Sequence, residues 1–310
     1  MSTGTTAAAV PPGTVTPATT PAAVPSGTGA TDWFLLVAPG VIWGASFLFI
    51  AEGLRAIGPN GVAFVRILVG CVTLGLIPAA RRPVPRADWA AVALVGVVWL
   101  AFPLSMFPFA EQRVSSALTG MLNGAVPLFT AAVATALSRR LPSRAVATGL
   151  AIGMTGAVLM AWPALDEGRS STVGVLLILA ALVSYGFALP LARPLQQRHG
   201  ALPVIWRAQL VAVALTAPLG LPDLLAAHWT LGPLLAMLAL GALGTGLAFV
   251  VATTAAGRLG ATRASATAFL MPPVALLLGV MVRGERVALL SVLGAAVCVA
   301  GAWVIRRAKS

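Results

Sequence analysis

Ten apolar stretches, each long enough to cross a lipid bilayer, follow one another along most of this chain with only short polar breaks. They cover approximately residues 33–51, 62–80, 88–109, 115–137, 145–162, 173–192, 203–221, 231–253, 263–282 and 287–305. About 20 mainly apolar residues in a helix span the hydrocarbon core, and lipid offers no hydrogen-bond partner to a peptide group outside regular structure. The chain is therefore predicted to be an all-α integral membrane protein with ten transmembrane helices.

The composition excludes a water-soluble fold. Of the 310 residues, 59% are hydrophobic and 9% are charged, whereas about 25% of the residues in a soluble domain are charged. Residues 1–31 differ from the rest, because they are rich in Thr, Ala and Pro and carry no charged side chain. They are predicted to form a disordered tail. This segment lacks the basic region and apolar core of a secretory signal, so the first apolar stretch is expected to remain as a membrane helix.

The distribution of basic side chains predicts the orientation in the membrane. With the N-terminus in the cytoplasm, the cytoplasmic loops carry 13 of the 20 Lys and Arg residues, the other side carries five, and Arg66 and Arg207 lie within spans. Cytoplasmic loops retain Lys and Arg, so we expect a multi-pass plasma-membrane protein with both termini in the cytoplasm. The formal net charge of +12 follows from this bias and from attraction to anionic lipid headgroups, and no nucleic-acid partner is needed to explain it.

The two halves of the sequence resemble one another. Aligning Pro127 with Pro273 places Arg139 opposite Glu285, and a weaker match upstream places the segment WGASF opposite YGFAL. The chain is therefore predicted to contain two five-helix repeats, which are assigned to residues 32–165 and 172–307.

An odd number of helices in each repeat determines how the repeats are arranged. The second copy must be inserted upside down relative to the first, and inverted repeats with interrupted helices at matching positions are typical of secondary transporters. We expect the interruptions at Pro127, Pro272 and Pro273. Two inverted halves can open a central site first to one side of the membrane and then to the other, which is transport by alternating access.

The residues in five of the spans resemble a known family. They are WGASF in the first span, Arg66 in the second, GALGTGLAFVVATTAAGRLGATRASATAFLMPPVALLLGVMVRGERV across the eighth and ninth, and GAAVCVAGAWVIRR in the tenth. Over about residues 33–307 the chain is similar to the EamA branch of the drug/metabolite transporter superfamily, the ten-helix bacterial permeases. Its members usually carry a Glu at the end of the fourth span, where this chain has Arg139. If that Glu takes part in coupling or gating in relatives, this chain is expected to perform the step differently or not at all.

Candidate substrate contacts are the polar, aromatic and thioether side chains within the spans. They are Trp43, Arg66, Trp99, Met121, Asn123, Tyr185, Trp206, Gln209 and Met271. Asn123 is the best single candidate, because an amide in lipid needs a partner and the same span contains Pro127. An arginine at the depth of Arg66 costs about 2.5–3.5 kcal/mol on insertion scales. We interpret it as a substrate-binding or gate-forming charge that pairs with Glu52, and the alternative is a side chain that extends to the membrane interface.

Charged residues elsewhere give weaker signals. Glu285 is interpreted as part of a solvated turn in which it pairs with Arg283 or Arg286, and the alternative is a gate or a proton-coupling site. Cys71 and Cys298 lie in different spans without neighbouring ligands, so no metal site is predicted. No cofactor is expected, and motifs for ATP hydrolysis and other enzyme activities are missing from the sequence, so the chain is not expected to be an enzyme.

Two classes of function fit these observations. The first is a secondary transporter that exports or exchanges an amino acid or related small organic metabolite, as a monomer or homodimer surrounded by membrane lipids. The second is a membrane scaffold or sensor that moves no solute. The matched interruptions favour the transporter, because a scaffold has no need of them.

Overall fold

The computed structural model describes residues 29–138, 142–166, 168–259 and 264–307, and within these ranges it is helical throughout, without β-strands. The main helices are α1 (Ala30–Gly53), α2 (Pro59–Gly75), α3 (Arg86–Glu111), α4 (Ser116–Asn123), α5 (Val126–Ser138), α6 (Arg144–Asp166), α7 (Arg169–His199), α8 (Ala201–Leu225), α9 (Leu231–Leu259), α10 (Met271–Arg283) and α11 (Leu289–Arg307). Residues 1–28 of the predicted tail and Arg139 lie outside the described residues, whereas Ala30 and Thr31, which were assigned to the tail, begin α1.

The helices agree with the predicted all-α membrane fold. Six of them, α1, α3, α6, α7, α8 and α9, are long and apolar enough to cross a membrane, and α4 with α5 form a seventh span if they are joined across a 40° bend. Helices α2, α10 and most of α11 are apolar but shorter. Each predicted stretch thus coincides with one helix or with the α4–α5 pair, so the structure is compatible with ten spans.

The surface of the bundle is apolar. Large hydrophobic side chains are exposed on its exterior, including Leu225 at 86%, Met281 at 79% and Leu76 at 75%, while Ile50 and Leu122 are fully buried inside. A soluble monomer does not expose apolar area of this extent. The exterior is therefore a lipid-facing surface.

Glycines bring several helices to backbone contact. A methyl group added at Gly156 of α6 would meet backbone atoms of Cys298 and Gly294 in α11, and one added at Gly301 would meet the backbone of Gly153. Small residues allow membrane helices to approach in this way. Glycines also face α10: a Cβ added at Gly44 of α1 would meet the side chain of Val274, and one added at Gly124, directly after α4, would meet the ring of Pro272. Helix α10 from the second half of the chain thus packs between two helices of the first half.

The helices are irregular at corresponding places in the two halves. A turn at Gly124 and Ala125 separates α4 from α5, and Pro127 lies in the first turn of α5. A 3₁₀ segment, Ser265–Leu270, precedes α10, whose first turn contains Pro272 and Pro273. Proline is tolerated there because the first N–H groups of a helix have no intrahelical acceptor.

Helices α3 and α9 also share an irregularity. Helix α3 is π-helical over Gly96–Ala101, and α9 is π-helical over Leu240–Leu247. The offset that aligns Pro127 with Pro273 is 146 residues, and it places 96–101 on 242–247, inside the second π-helical segment. Such segments occur frequently at functional sites.

Candidate substrate site

A buried polar junction joins α2, α8 and α9 in the interior of the bundle. The Nε of Arg66 donates a hydrogen bond to Thr245 Oγ1 at 3.3 Å, and Gln209 Nε2 donates to the Thr245 carbonyl oxygen at 2.6 Å. The Thr245 hydroxyl in turn donates to the carbonyl of Leu240 at 3.2 Å. Thr245 lies in the π-helical segment, where the regular i→i−4 bonding is interrupted. That interruption makes its carbonyl available to Gln209.

Arg66 points into the protein. It is 5% exposed, so its guanidinium does not extend to the membrane interface, and the predicted pair with Glu52 is not formed. Glu52 instead accepts hydrogen bonds from Arg55 Nη1 at 2.9 Å and from Arg283 Nη1 at 2.7 Å. Within the described part of the chain, Thr245 is the one hydrogen-bond partner of the Arg66 guanidinium, which also interacts electrostatically with Tyr185 and Glu111.

Aromatic rings lie next to this junction. Trp43 donates from Nε1 to the carbonyl of Gly244 at 3.0 Å, and its ring meets Phe249 edge to face at a centroid distance of 5.8 Å. Trp99 contacts the same Phe249 ring at 5.6 Å. Trp43 and Trp99 are thus brought together through Phe249, a residue that the sequence analysis did not single out.

Asn123 and Gln209 each bury an amide oxygen without a donor. Asn123 Nδ2 approaches the thioether sulfur of Met271 at 3.8 Å, while Asn123 Oδ1 and Gln209 Oε1 have no hydrogen-bond partner among the described residues. A buried, unpaired acceptor costs free energy. Both side chains are therefore suited to accept hydrogen bonds from a bound molecule.

The remaining candidates lie at the margins of this region. Tyr185 packs its ring near Phe107, with centroids 6.2 Å apart, and Met121 is fully buried in the core. Trp206 donates from Nε1 to the carbonyl of Cys71 at 3.1 Å and packs against Gly75. Both contacts are with α2, so Trp206 joins α8 to α2.

A second polar cluster lies where α10 ends, and we call it the Glu285 cluster: Glu52, Ser116, Ala117, Arg283 and Glu285. Glu285 accepts hydrogen bonds from Ser116 N and Oγ, from Ala117 N at 2.8 Å and from Arg283 Nε at 3.1 Å. The Glu285 side chain is 13% exposed, so it is not the solvated turn residue that we expected, although the predicted pair with Arg283 is present. A carboxylate at the start of α4 is stabilised by the positive end of the helix dipole.

Glu111 interacts with residues of both groups and was not singled out in the sequence. It is the last residue of α3, and both of its carboxylate oxygens are buried without a hydrogen-bond partner in the described ranges. It interacts electrostatically with Glu285, Arg283 and Arg66. The sequence placed Glu111 in a loop, since it follows an apolar stretch, and only tertiary packing reveals that its side chain turns inward.

Other contacts tie helices together at the opposite end of the bundle. Arg258 Nε lies 2.7 Å from Asp32 Oδ1, which connects α9 to the start of α1, and Thr267 Oγ1 donates to the carbonyl of Leu36 at 2.8 Å. Asp88 pairs with His199 at 2.7 Å. In the described ranges no three His, Cys, Asp or Glu side chains are grouped so that they could hold a metal ion.

Apolar helices with matched interruptions surround a buried arginine, two amides and aromatic rings. This arrangement is that of a polytopic membrane carrier. The chain belongs to the EamA-like transporter family, whose sequence profile matches residues 32–162 and 172–307. The family identification and the predicted transport function are thereby confirmed. Transport, not catalysis, is what defines this family.

Individual relatives are similar over most of their length. The chain is 29% identical to the "Probable terminal-alkyne amino-acid exporter" of Streptantibioticus cattleyicolor, over 88% of this chain and 92% of the relative. It is 26% identical to the "Uncharacterized transporter YdfC" of Bacillus subtilis, over 84% of this chain and 86% of the relative. A solved crystal structure superposes with a TM-score of 0.62 at 21% identity, covering 91% of this chain and 99% of its own. The last comparison shows a shared fold.

Proposed function

We propose that this transporter is a secondary exporter of a small, amino-acid-like metabolite in the plasma membrane, working by alternating access. Both termini face the cytoplasm, and residues 32–165 and 172–307 act as two inverted repeats, in a monomer or a homodimer. The excess of basic residues on one side supports the orientation. The two separate family matches and the paired helix interruptions support the repeats, and a relative named as an amino-acid exporter supports the cargo and its direction.

The observation that carries this proposal is the environment of Arg66. Its guanidinium is buried and hydrogen-bonded to one neutral hydroxyl. A guanidinium presents five donors in a planar fork that matches a carboxylate. Among the described residues, no carboxylate is hydrogen-bonded to this guanidinium. A substrate carboxylate therefore supplies the opposite charge and accepts the remaining hydrogen bonds.

Other buried side chains of the bundle suit the remainder of an amino acid. The unpartnered oxygens of Asn123 and Gln209 accept hydrogen bonds from an ammonium group. Trp43, Trp99 and Phe249 present ring faces and edges to one another beside the junction, and such rings favour an apolar or unsaturated substituent. The site thus combines a donor group for the carboxylate, acceptors for the amine and an apolar wall.

The test is substrate counterflow with the purified full-length chain in proteoliposomes. Vesicles loaded with unlabelled amino acids, including a terminal-alkyne amino acid, are diluted into the same labelled compound. Arg66→Lys and Arg66→Gln should lower the initial rate by about tenfold or more, because a charged bidentate contact contributes roughly 1.5–3 kcal/mol.

Arg207→Lys is the matched control, since Arg207 is the other arginine within the predicted spans. Its Nη1 donates to the carbonyl oxygens of Pro203 at 3.2 Å and Ala80 at 3.5 Å, and it is not buried in the interior junction. Lysine can replace such a cation, so this variant should transport at the parental rate. Unimpaired counterflow in both Arg66 variants, at equal abundance in the vesicles, would remove Arg66 from the site.

A further inference from the structure

We propose that Glu111 is the proton-binding carboxylate that couples proton entry to substrate export. The inference rests on the proposed exporter function, because it concerns how that export is driven. Its basis is the carboxylate of Glu111 at the end of α3, whose two oxygens are buried and unpartnered among the described residues. It lies near enough to Arg66, Arg283 and Glu285 to interact with them electrostatically.

A charged Glu111 is costly in this conformation. Taking a carboxylate out of water without a hydrogen-bonded partner costs several kcal/mol, and the nearby charge of Glu285 opposes a second negative charge. The positive charges of Arg283 and Arg66 favour a charged Glu111. Neither arginine donates a described hydrogen bond to it, however: Arg283 donates to Glu52 and Glu285, and Arg66 donates to Thr245. Binding of a proton relieves the cost without any rearrangement of these contacts.

The charges around Glu111 come from several elements. Arg66 lies on α2, Arg283 ends α10, and Glu285 follows α10; Glu52 at the end of α1 is connected through Arg283. Tyr185 of α7 interacts with Arg66. Arg113, next to Glu111 in sequence, donates to the carbonyl of Phe109 at 2.6 Å. Of the carboxylates named here, Glu111 is the one without a described hydrogen bond.

The protonation state of Glu111 changes the stability of the Glu285 cluster. When Glu111 is charged, it repels Glu285 and attracts Arg283, and both effects weaken the bonds that hold the end of α10 against the start of α4. When Glu111 is neutral, the cluster forms as the structure shows it. Deprotonation therefore favours opening of this end of the bundle, and protonation favours its closure.

The proton balance of one cycle follows. A proton from water outside the cell forms an O–H bond at one carboxylate oxygen of Glu111 while the outer end is open. After the outer end closes and the cytoplasmic end opens, the same O–H bond breaks and the proton leaves to the cytoplasm. One proton thus enters for each substrate that leaves, and no electron is transferred.

The first test follows the Glu285 cluster without any substrate. The backbone N–H groups of Ser116 and Ala117 are bonded to Glu285, so their hydrogen exchange reports opening of this end. In the full-length chain, exchange corrected for its intrinsic pH dependence should rise by about tenfold from mildly acidic to mildly alkaline pH, which corresponds to about 1.4 kcal/mol. Glu111→Gln should remain protected throughout, and Glu111→Asp should keep the pH dependence.

A control at the opposite end separates local from general effects. Asp88→Asn removes a carboxylate that pairs with His199 and Arg198, and it should leave the pH dependence at Ser116 and Ala117 unchanged. Thermal unfolding shows that each variant is folded. An exchange rate that rises with pH equally in Glu111→Gln and the parent, or that does not rise in the parent, would overturn the assignment.

The second test separates coupling from transport. In proteoliposomes with a terminal-alkyne amino acid as the probe, Glu111→Gln should show counterflow at the rate that the parent shows at mildly acidic pH, since counterflow needs no net proton movement. The same variant should lose accumulation driven by a pH gradient. Gradient-driven accumulation by Glu111→Gln at the parental level would overturn the proposal. If the parent moves no amino acid at all, the proposed cargo fails, and the exchange experiment still decides the role of Glu111.

Discussion

Glu285 Oε1 accepts two hydrogen bonds from Ser116, one from its backbone N at 3.1 Å and one from its Oγ at 2.7 Å. The two residues are 169 positions apart in sequence, and they join the turn after α10 to the first turn of α4. The carboxylate satisfies N–H groups that the start of a helix leaves without acceptors. Helices from the two halves of the chain are thereby held together at one end of the bundle.

Removing the charge of Glu285 should loosen this end. Glu285→Gln keeps one oxygen acceptor but loses the ion pair with Arg283 and the favourable interaction with the helix dipole. Capping interactions contribute about 0.5–2 kcal/mol, so we expect hydrogen exchange at Ser116 and Ala117 to accelerate several-fold. Arg286→Gln, an exposed side chain on the same turn, is the control and should change nothing. Unaltered exchange in Glu285→Gln would show that backbone packing alone closes this end.

The sequence predicted the fold more completely than it predicted the candidate site. Membrane spans are local patterns of about 20 residues, and the alignment of Pro127 with Pro273 predicted interruptions at both places, so the helical segments and their interruptions were expected. The polar contacts join distant residues: 179 positions separate Arg66 from Thr245. Sequence therefore identified Arg66 and Gln209 by type but could not show that Thr245 connects them.

Two misjudged residues show the same limit. Glu285 looked solvated because it lies in a short charged turn, yet the start of α4 covers it. Glu111 looked external because it follows the apolar stretch of α3, yet its carboxylate is buried. In both cases the direction of one side chain at a helix end depends on which helix packs there, and local sequence does not encode that choice.

Asn123 should be needed for transport more than for stability. Its Nδ2 meets only a thioether at 3.8 Å and its Oδ1 lacks a described partner, and removing a buried polar group that is poorly paired can be nearly neutral for folding. Asn123→Ala should therefore reduce counterflow at near-normal membrane abundance. Met271→Leu, which alters the neighbouring thioether but keeps an apolar side chain of similar size, should be much milder. A loss of abundance without a loss of specific activity would reassign Asn123 to packing.

The orientation of the chain can be tested with reporters that are active in one compartment. Fusions at residues 84, 142 and 310 should all report the cytoplasm, because the basic residues are concentrated on that side. A fusion in the turn at residue 285 should report the exterior. An external signal from the fusion at residue 310 would contradict the inverted arrangement, since an even number of spans is required for both termini to lie on one side.

The contact between α6 and α11 gives a prediction about stability. A Cβ atom at Gly156 would meet backbone atoms of Cys298 and Gly294, and backbone cannot move aside as a flexible side chain can. Gly156→Ala should therefore destabilise the protein by about 1–3 kcal/mol, the usual cost of overpacking, and lower the midpoint of thermal unfolding in detergent. Gly257→Ala on α9 is the matched control, because apart from its chain neighbours and the backbone of its own helix no described atom lies within 4 Å of its added Cβ. Because neither glycine lies among the proposed substrate contacts, transport per folded molecule should be preserved in both variants. Equal thermal stability of Gly156→Ala and the parent would mean that the two helices are held together by contacts other than this close backbone approach.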